Sequence, residues 1–328
     1  MRLANLTALV LAASLAACGG SSSSGSVQDQ SRNAMPRSEN LQMTSPSAPK
    51  GSSLKDGSDG TSEQASTAGS ASAYFGATVG LSAVVNGSTA FMLGILKAVT
   101  DLPATNCTED TCTWGPGSGA LEANNYKLVV TKKTNPDRFE YALSGQAKSK
   151  PSSDFVVFLT GTAVPSDTPH RGSGQLVLDN DARNRIDNPG TDTGKLTINY
   201  SNTTLLSVTA VGTGLRDNDH PGQQINVAYQ FGDKADGGGE LDVGFRNLTS
   251  NATLSLHSRW KATGAGRGDA KFAVGALQAT ASECWAAASG SFKVAYWVQT
   301  PSDPNQPTSG VETDCAYSPA VYGSVAVP

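Results

Sequence analysis

The stretch ELDVGFR, residues 240–246, decides the fold class. Leu241, Val243 and Phe245 fall on one side of an extended chain, and Glu240, Asp242, Gly244 and Arg246 on the other, because successive side chains alternate along a strand. The same period of two returns in Leu196, Ile198 and Tyr200, in Ile225, Val227, Tyr229 and Phe231, in Leu254, Leu256 and Trp260, and in Phe292, Val294 and Tyr296. One apolar and one polar face per strand predict an antiparallel sheet wetted on one side. Turn chemistry separates the runs, as in Asn135-Pro136-Asp137 and Asp236 to Gly239. This spacing predicts roughly ten to twelve strands between Tyr126 and Val327. A sheet that wide curls or closes, so the expected fold is mainly β, a curved antiparallel sheet or half-open barrel.

Upstream, FGATVGLSAVVNGSTAFMLGIL (residues 75–96) carries no charge, and Val84, Val85, Phe91, Met92, Ile95 and Val99 follow helical spacing. It predicts one apolar helix over about 75–100, packed on the concave face of the sheet. Four glycines with Asn86, Ser and Thr make it too weakly apolar for a preferred membrane span, although Gly76-x3-Gly80 is a small-residue packing motif. Asn86-Gly87 is a place where the helix could break in two, and Pro103 is expected to end it.

The amino terminus has a different organisation. Arg2 is followed by an uncharged run from Leu3 to Ala17, shorter than a spanning helix requires. The run ends in Leu15-Ala16-Ala17-Cys18, which resembles the lipobox of bacterial lipoproteins. The resemblance implies a signal peptide over 1–17, a diacylglyceryl thioether on Cys18 with an acylated (palmitate-class) amino terminus, and a lipid bilayer as partner. Gly19, where an Asp would be the usual inner-membrane retention signal, implies the outer membrane, with the body facing periplasm or surface. Residues 19–72 hold 16 serines and no aromatic. Such a segment buries too little apolar surface to offset its ordering entropy, so a disordered linker is expected over 18–72, with an end-to-end distance of order 40 Å. Residues 73–328 are then a single β-rich domain.

Of five cysteines, Cys18 is assigned to lipid, leaving Cys107, Cys112, Cys284 and Cys315. In an oxidising compartment these make two disulfides with three pairings open, and proximity favours Cys107–Cys112 and Cys284–Cys315. A zinc site would need a second close Cys or His pair after Cys-x4-Cys, which is missing. The apolar helix and long meander look like the half-barrel lipoprotein carriers of the bacterial envelope. Thr113-Trp114-Gly115-Pro116 before the first strands is similar to uncharacterised β-rich lipoproteins of the myxobacterial kind, which bring no activity with them.

With 24 basic and 28 acidic residues the net charge is −4, or −5 once Arg2 leaves with the signal. No basic stripe suits nucleic acid. Three histidines, His170, His220 and His257, leave little for acid–base chemistry. Asp179, Asp181 and Asp187 alternate in the manner of calcium ligands, but Arg183, Asn184 and Gly190 stand where such a loop needs an oxygen, a Gly and a Glu. Turn-capping and surface ion pairs are the preferred role. Asp217 with His220 reads as a solvated turn, and Ser258-x-x-Lys261 as two faces of a strand rather than a nucleophile pair. Ser52-x-x-Lys55 lies in the linker. Arg267-Gly268-Asp269 is expected in a hairpin turn; Trp285, Trp297, Tyr317 and Tyr322 are read first as core, with an aromatic ligand-binding mouth as the alternative. No cofactor motif is present. The expected function is a non-enzymatic structural or partner-binding lipoprotein of the envelope. A carrier of a lipid or other apolar ligand is the alternative, and an enzyme of unknown class stands third.

Overall fold

The computed structural model describes residues 26–46, 67–117, 123–186, 191–217, 220, 222–288 and 291–328. Helix α1 spans Val27–Ala34 and α2 spans Ala73–Thr100. A hairpin of β1 (Asn106–Cys107) and β2 (Thr111–Gly117) follows. Next come β3 (Asn124–Lys133), β4 (Arg138–Ala147), β5 (Val156–Pro165) and β6 (Gly172–Asp179). A single turn, α3 (Asn180–Arg183), leads to β7 (Lys195–Ser201), β8 (Ser207–Arg216) and β9 (Gln224–Asp233). The chain continues through β10 (Gly239–Asn247), β11 (Thr253–Trp260), β12 (Gly266–Val274), β13 (Leu277–Ala288), β14 (Ser291–Thr300) and β15 (Ser309–Gly310).

All fifteen strands pair with their sequence neighbours in one antiparallel sheet, and β1 and β15 are its open edges. The alternation sets the register: Leu241 opposes Phe231 and Ser258, Val243 opposes Tyr229 and Leu256, and Phe245 opposes Val227 and Leu254. Thirteen of the strands fall after Ala123, slightly more than the spacing suggested. Phe75 of α2 packs on Trp285 and Phe292 of β13 and β14, whereas the Leu102 carbonyl, just past the helix, accepts from Trp114 Nε1 of β2 (2.9 Å). About 40 Å of chain at helical rise therefore bridges twelve strand spacings, which would cover about 58 Å if flat. The sheet bows around its helix.

Helix α2 is unbroken at Asn86-Gly87. The Asn86 side chain is used instead to hold an upstream segment, accepting from Met43 N (2.8 Å) and donating to Met43 O (2.9 Å). At the start of α2, Ser72 Oγ accepts from Phe75 N (3.0 Å) as an N-cap, and the fully buried Glu283 carboxylate accepts from Ser72 Oγ (2.5 Å) and Tyr74 N (2.9 Å). A carboxylate at a helix N-terminus is favoured by the backbone dipole. At the far end Arg32 donates from Nε to Thr100 O (2.6 Å) and from Nη2 to Leu102 O (2.6 Å), a cation where that dipole is negative. Gly268 of β12 is required here, since a Cβ would lie 2.8 Å from Tyr74 Cδ2.

The expected linker over 18–72 needs correction in both of its described parts, 26–46 and 67–72; the second runs along β14, Gly69 N donating to Val294 O (2.8 Å) and Ser72 N to Phe292 O (3.0 Å). Ser26 caps α1 by accepting from Asp29 N (3.2 Å), and Ala34, Met35, Leu41 and Met43 are buried in the same core as Met92, Leu93 and Leu96 of α2. A Ser-rich average hid this segment, whose few apolar residues are spaced to meet the core one at a time. Cys18 and residues 47–66, including Ser52 and Lys55, lie outside the described residues. The cysteines pair as Cys107–Cys112 and Cys284–Cys315. The first bond staples the β1–β2 hairpin, where the two residues are direct cross-strand partners. The core position of Leu41, 2% exposed, gives a test. Leu41→Ala is expected to cost about 2–5 kcal/mol in urea unfolding, whereas a residue in a loose tether would change stability by less than about 0.5 kcal/mol.

Candidate functional site

Two regions stand out: a buried charge cluster on the face of the sheet away from α2, and the apolar surfaces around α2. The cluster is built by cross-strand register. Arg267 of β12 opposes Arg259 of β11, and Asp269 opposes both His257 of β11 and Ser282 of β13. These sit on the polar side of the alternation, yet Arg267, Asp269 and Ser282 are 0–1% exposed. What covers them is the carboxy-terminal tail, 311–328, which crosses this face almost without regular structure.

The hydrogen bonds close on themselves. Arg267 Nε donates to Asp269 Oδ1 (2.9 Å) and to Ser282 Oγ (3.0 Å), Nη2 donates to Ser282 Oγ (2.7 Å), and Nη1 donates to Glu312 Oε1 (2.7 Å) and Tyr317 O (3.1 Å). Asp269 Oδ2 accepts from Arg259 Nη2 (3.0 Å) and from Val321 N of the tail (3.0 Å). Burial works against the Arg267 charge, but hydrogen bonds to Asp269 and Glu312 outweigh it and raise its pKa above the ordinary value. Asp242 of β10 repeats the pattern, its Oδ2 accepting from Ser324 N (2.9 Å) and Val325 N (3.2 Å). Gly244 lets the tail approach, since a Cβ there would lie 2.5 Å from Val327 Cγ2. The Cys284–Cys315 bond and stacking of Arg259 over the Tyr317 ring (5.2 Å) complete the fastening. Chemically, this arrangement clamps a peptide segment.

The structure changes several expectations from sequence. Arg267-Gly268-Asp269 is not in a hairpin turn. It lies in the first half of β12, just past the β11–β12 turn, with both charged side chains buried, because Gly268 serves helix packing and the flanking charges hold the tail. The four aromatics do not gather at one mouth, and the preferred core reading holds for the two tryptophans. Trp285 and Trp297 are buried on the α2 side, against Phe75 and Tyr74, whereas Tyr317 and Tyr322 belong to the tail and lie over Lys or Arg side chains. Ser258 turns toward α2 and shares a hydrogen bond with Thr78 Oγ1 (2.7 Å), while Lys261 lies past the strand end near Tyr317.

Asp179 caps α3, accepting from Ala182 N (2.8 Å), and this bond, with the Lys195 ion pair (3.2 Å), holds its pKa below the ordinary value. Asp181 accepts from Gly194 N (3.1 Å), and Asp187 lies outside the described residues. Among the described residues no group of three or more His, Cys, Asp or Glu side chains is placed to hold a metal ion. Asp217 and His220 do meet, at 3.0 Å, within an exposed turn.

On the α2 side, Met92, Leu93 and Leu96 are at most 1% exposed, and they join Leu128, Leu143, Leu176 and Ile198 in one core. Beyond the helix a row of cross-strand neighbours stays partly open: Val227, Phe245, Leu254 and Phe272, with Leu254 46% and Phe272 38% exposed. A cleft of about 290 Å³ lies elsewhere, between α1 and the β3–β4 and β5–β6 turns, and polar groups such as Gln30, Asn33, Lys132 and Asp167 line much of it. No family model, curated protein or solved structure matches the chain.

The tail clamp and the α3 cap differ in what their loss should do. Asp269→Ala strands two buried guanidinium contacts and is expected to cost about 3–5 kcal/mol in denaturant unfolding, against about 1 kcal/mol for the half-buried cap mutant Asp179→Ala. His257, buried beside Glu240 and Asp242, gives a pH signature. Burial lowers its pKa against the pull of both carboxylates. The unfolded chain therefore takes up a proton below about pH 6.5 before the folded one does, and stability falls as pH drops from there toward the folded value. His257→Gln should lose this part of the pH dependence in thermal melts.

Proposed function

We propose that the chain is a lipid-anchored protein of the bacterial cell envelope, facing periplasm or surface from the outer membrane, whose β-body has a structural or partner-binding role rather than a catalytic one. The observation that carries this reading is Leu15-Ala16-Ala17-Cys18 at the end of an uncharged apolar run. Two disulfides support it, since such bonds persist in oxidising compartments outside the cytosol. The polar chemistry supports it too. Arg267, Asp269, Ser282 and Asp242 spend hydrogen bonds on the chain's own tail and on one another, so the buried charges of this cluster act as fasteners.

The carrier reading has one specific observation in its favour, the partly open row Val227, Phe245, Leu254 and Phe272 on the α2 side. It ranks second because the space directly under α2 is filled by Met92, Leu93 and Leu96. Intact mass of protein purified from its native membrane separates the two: a carrier brings an apolar molecule with it beyond the covalent acyl chains.

The anchor is tested by Cys18→Ser. Each buried methylene contributes roughly 0.8 kcal/mol to membrane binding, so removing the acylation site is expected to move the protein from the membrane pellet to the soluble fraction. A Cys18→Ser protein that still sediments with membranes would overturn the reading.

A further inference from the structure

Helix α2 presents a physical mismatch. It is apolar on nearly all sides, with no charged residue from Tyr74 to Leu96, and helices of that kind are normally covered all round by protein or by lipid. By length and composition it could cross a membrane, yet it lies along the sheet and only 28% of its most apolar eighteen-residue window is buried. Ala77, Val84, Phe91 and Ala98 recur every seven residues along the uncovered side, with Val84 54% and Phe91 50% exposed. Leu102, just past the helix end, is 63% exposed.

What reaches that face is set by chain length. Helix α1 begins at Val27 and is fixed to the end of α2 by Arg32, which donates to Thr100 O and Leu102 O. Only Gly19 to Ser26 separate Cys18 from α1, so the lipidated residue can be at most about 30 Å from Val27 even with the chain fully extended. A leash of 54 residues, Gly19 to Ser72, would have let the body float clear; a leash of eight holds the carboxy-terminal half of α2 near the bilayer.

We propose that the uncovered side of α2 is a membrane-docking surface: with Cys18 acylated, the line through Val84, Phe91 and Ala98 rests in the headgroup region of the bilayer, and the sheet stands on the water side. The helix is therefore sandwiched, with Met92, Leu93 and Leu96 against protein and Phe91 against lipid. Burial to a depth of about 5–10 Å is typical for the apolar side of an interfacial helix. The part of this face through Val84 and Phe91 carries no charge and suits the apolar headgroup–acyl boundary, where ionised side chains would be costly, while the half-exposed Lys97–Asp101 ion pair bounds it at the carboxy-terminal end. This inference rests on the lipid-anchor reading and adds to it the surface that meets the membrane.

The test uses the full mature chain with its native amino terminus, carrying p-benzoylphenylalanine in place of Phe91, in vesicles of phosphatidylethanolamine and phosphatidylglycerol. A second chain carries the photocrosslinker in place of Val211, which is 37% exposed on the opposite face of β8. Intact mass first reports the acyl chains on Cys18. Irradiation of the acylated protein is expected to give at least roughly tenfold more phospholipid adduct at residue 91 than at residue 211, as interfacial burial requires. Acylated protein with equal adducts at both positions would overturn the docking surface while leaving the anchor intact. Protein–protein adducts at residue 91 would overturn it in favour of a second copy on the same face. A mass without acyl chains would overturn the anchor reading itself, and the docking surface with it.

Discussion

The structure depends on a charge at each end of one apolar helix. Glu283, buried in β13, accepts from the first turn of α2, and Arg32 of α1 donates to carbonyls at its last turn and beyond. Both contacts match the sign of the helix dipole, and both join elements far apart in sequence. An antiparallel sheet of fifteen strands with open edges has no closure of its own to bury its apolar side. Pinning a 28-residue helix across it at two points supplies that burial and sets how far the sheet bows.

The other face is treated differently. There the strands carry the charged residues that alternation places toward water, and the chain's last eighteen residues cover those on β10 to β12. Covering charges with peptide is favourable only when each finds a partner. Arg267, Asp269 and Asp242 meet that condition by bonding to tail backbone groups, and Arg267 and Asp269 also to each other. The two ends of the described chain are thus part of the fold: residues 27–43 help close the apolar side with α2, and residues 311–328 cover the polar side over strands β9 to β13.

Much of this was legible in the sequence, and the parts that were not share a cause. The period of two in residues 240–246 and its repeats pointed to the sheet, and the uncharged run over 75–96 to the helix, because both are local patterns. Proximity of Cys107 to Cys112 and of Cys284 to Cys315 also indicated the right pairs. Residues 26–46 misled because composition averages over a window, whereas Met35, Leu41 and Met43 each reach the core singly. Arg267 and Asp269 misled because Gly and Asp are turn formers, and because a buried polar face and a wetted one have the same alternation. The one available signal was density of opposite charge on neighbouring strands, Arg259 and Arg267 beside Asp269 with Glu312 downstream, which only becomes visible once the register is known.

The most direct measurement is amide hydrogen exchange across the whole mature chain in its oxidised form. If both of these segments are fastened to the sheet, amides hydrogen-bonded within 27–34 and those of Val321, Ser324 and Val325 will exchange orders of magnitude more slowly than an unstructured peptide, alongside α2 and the central strands. Exchange at the unstructured rate in these two segments, with the strands still protected, would contradict the account.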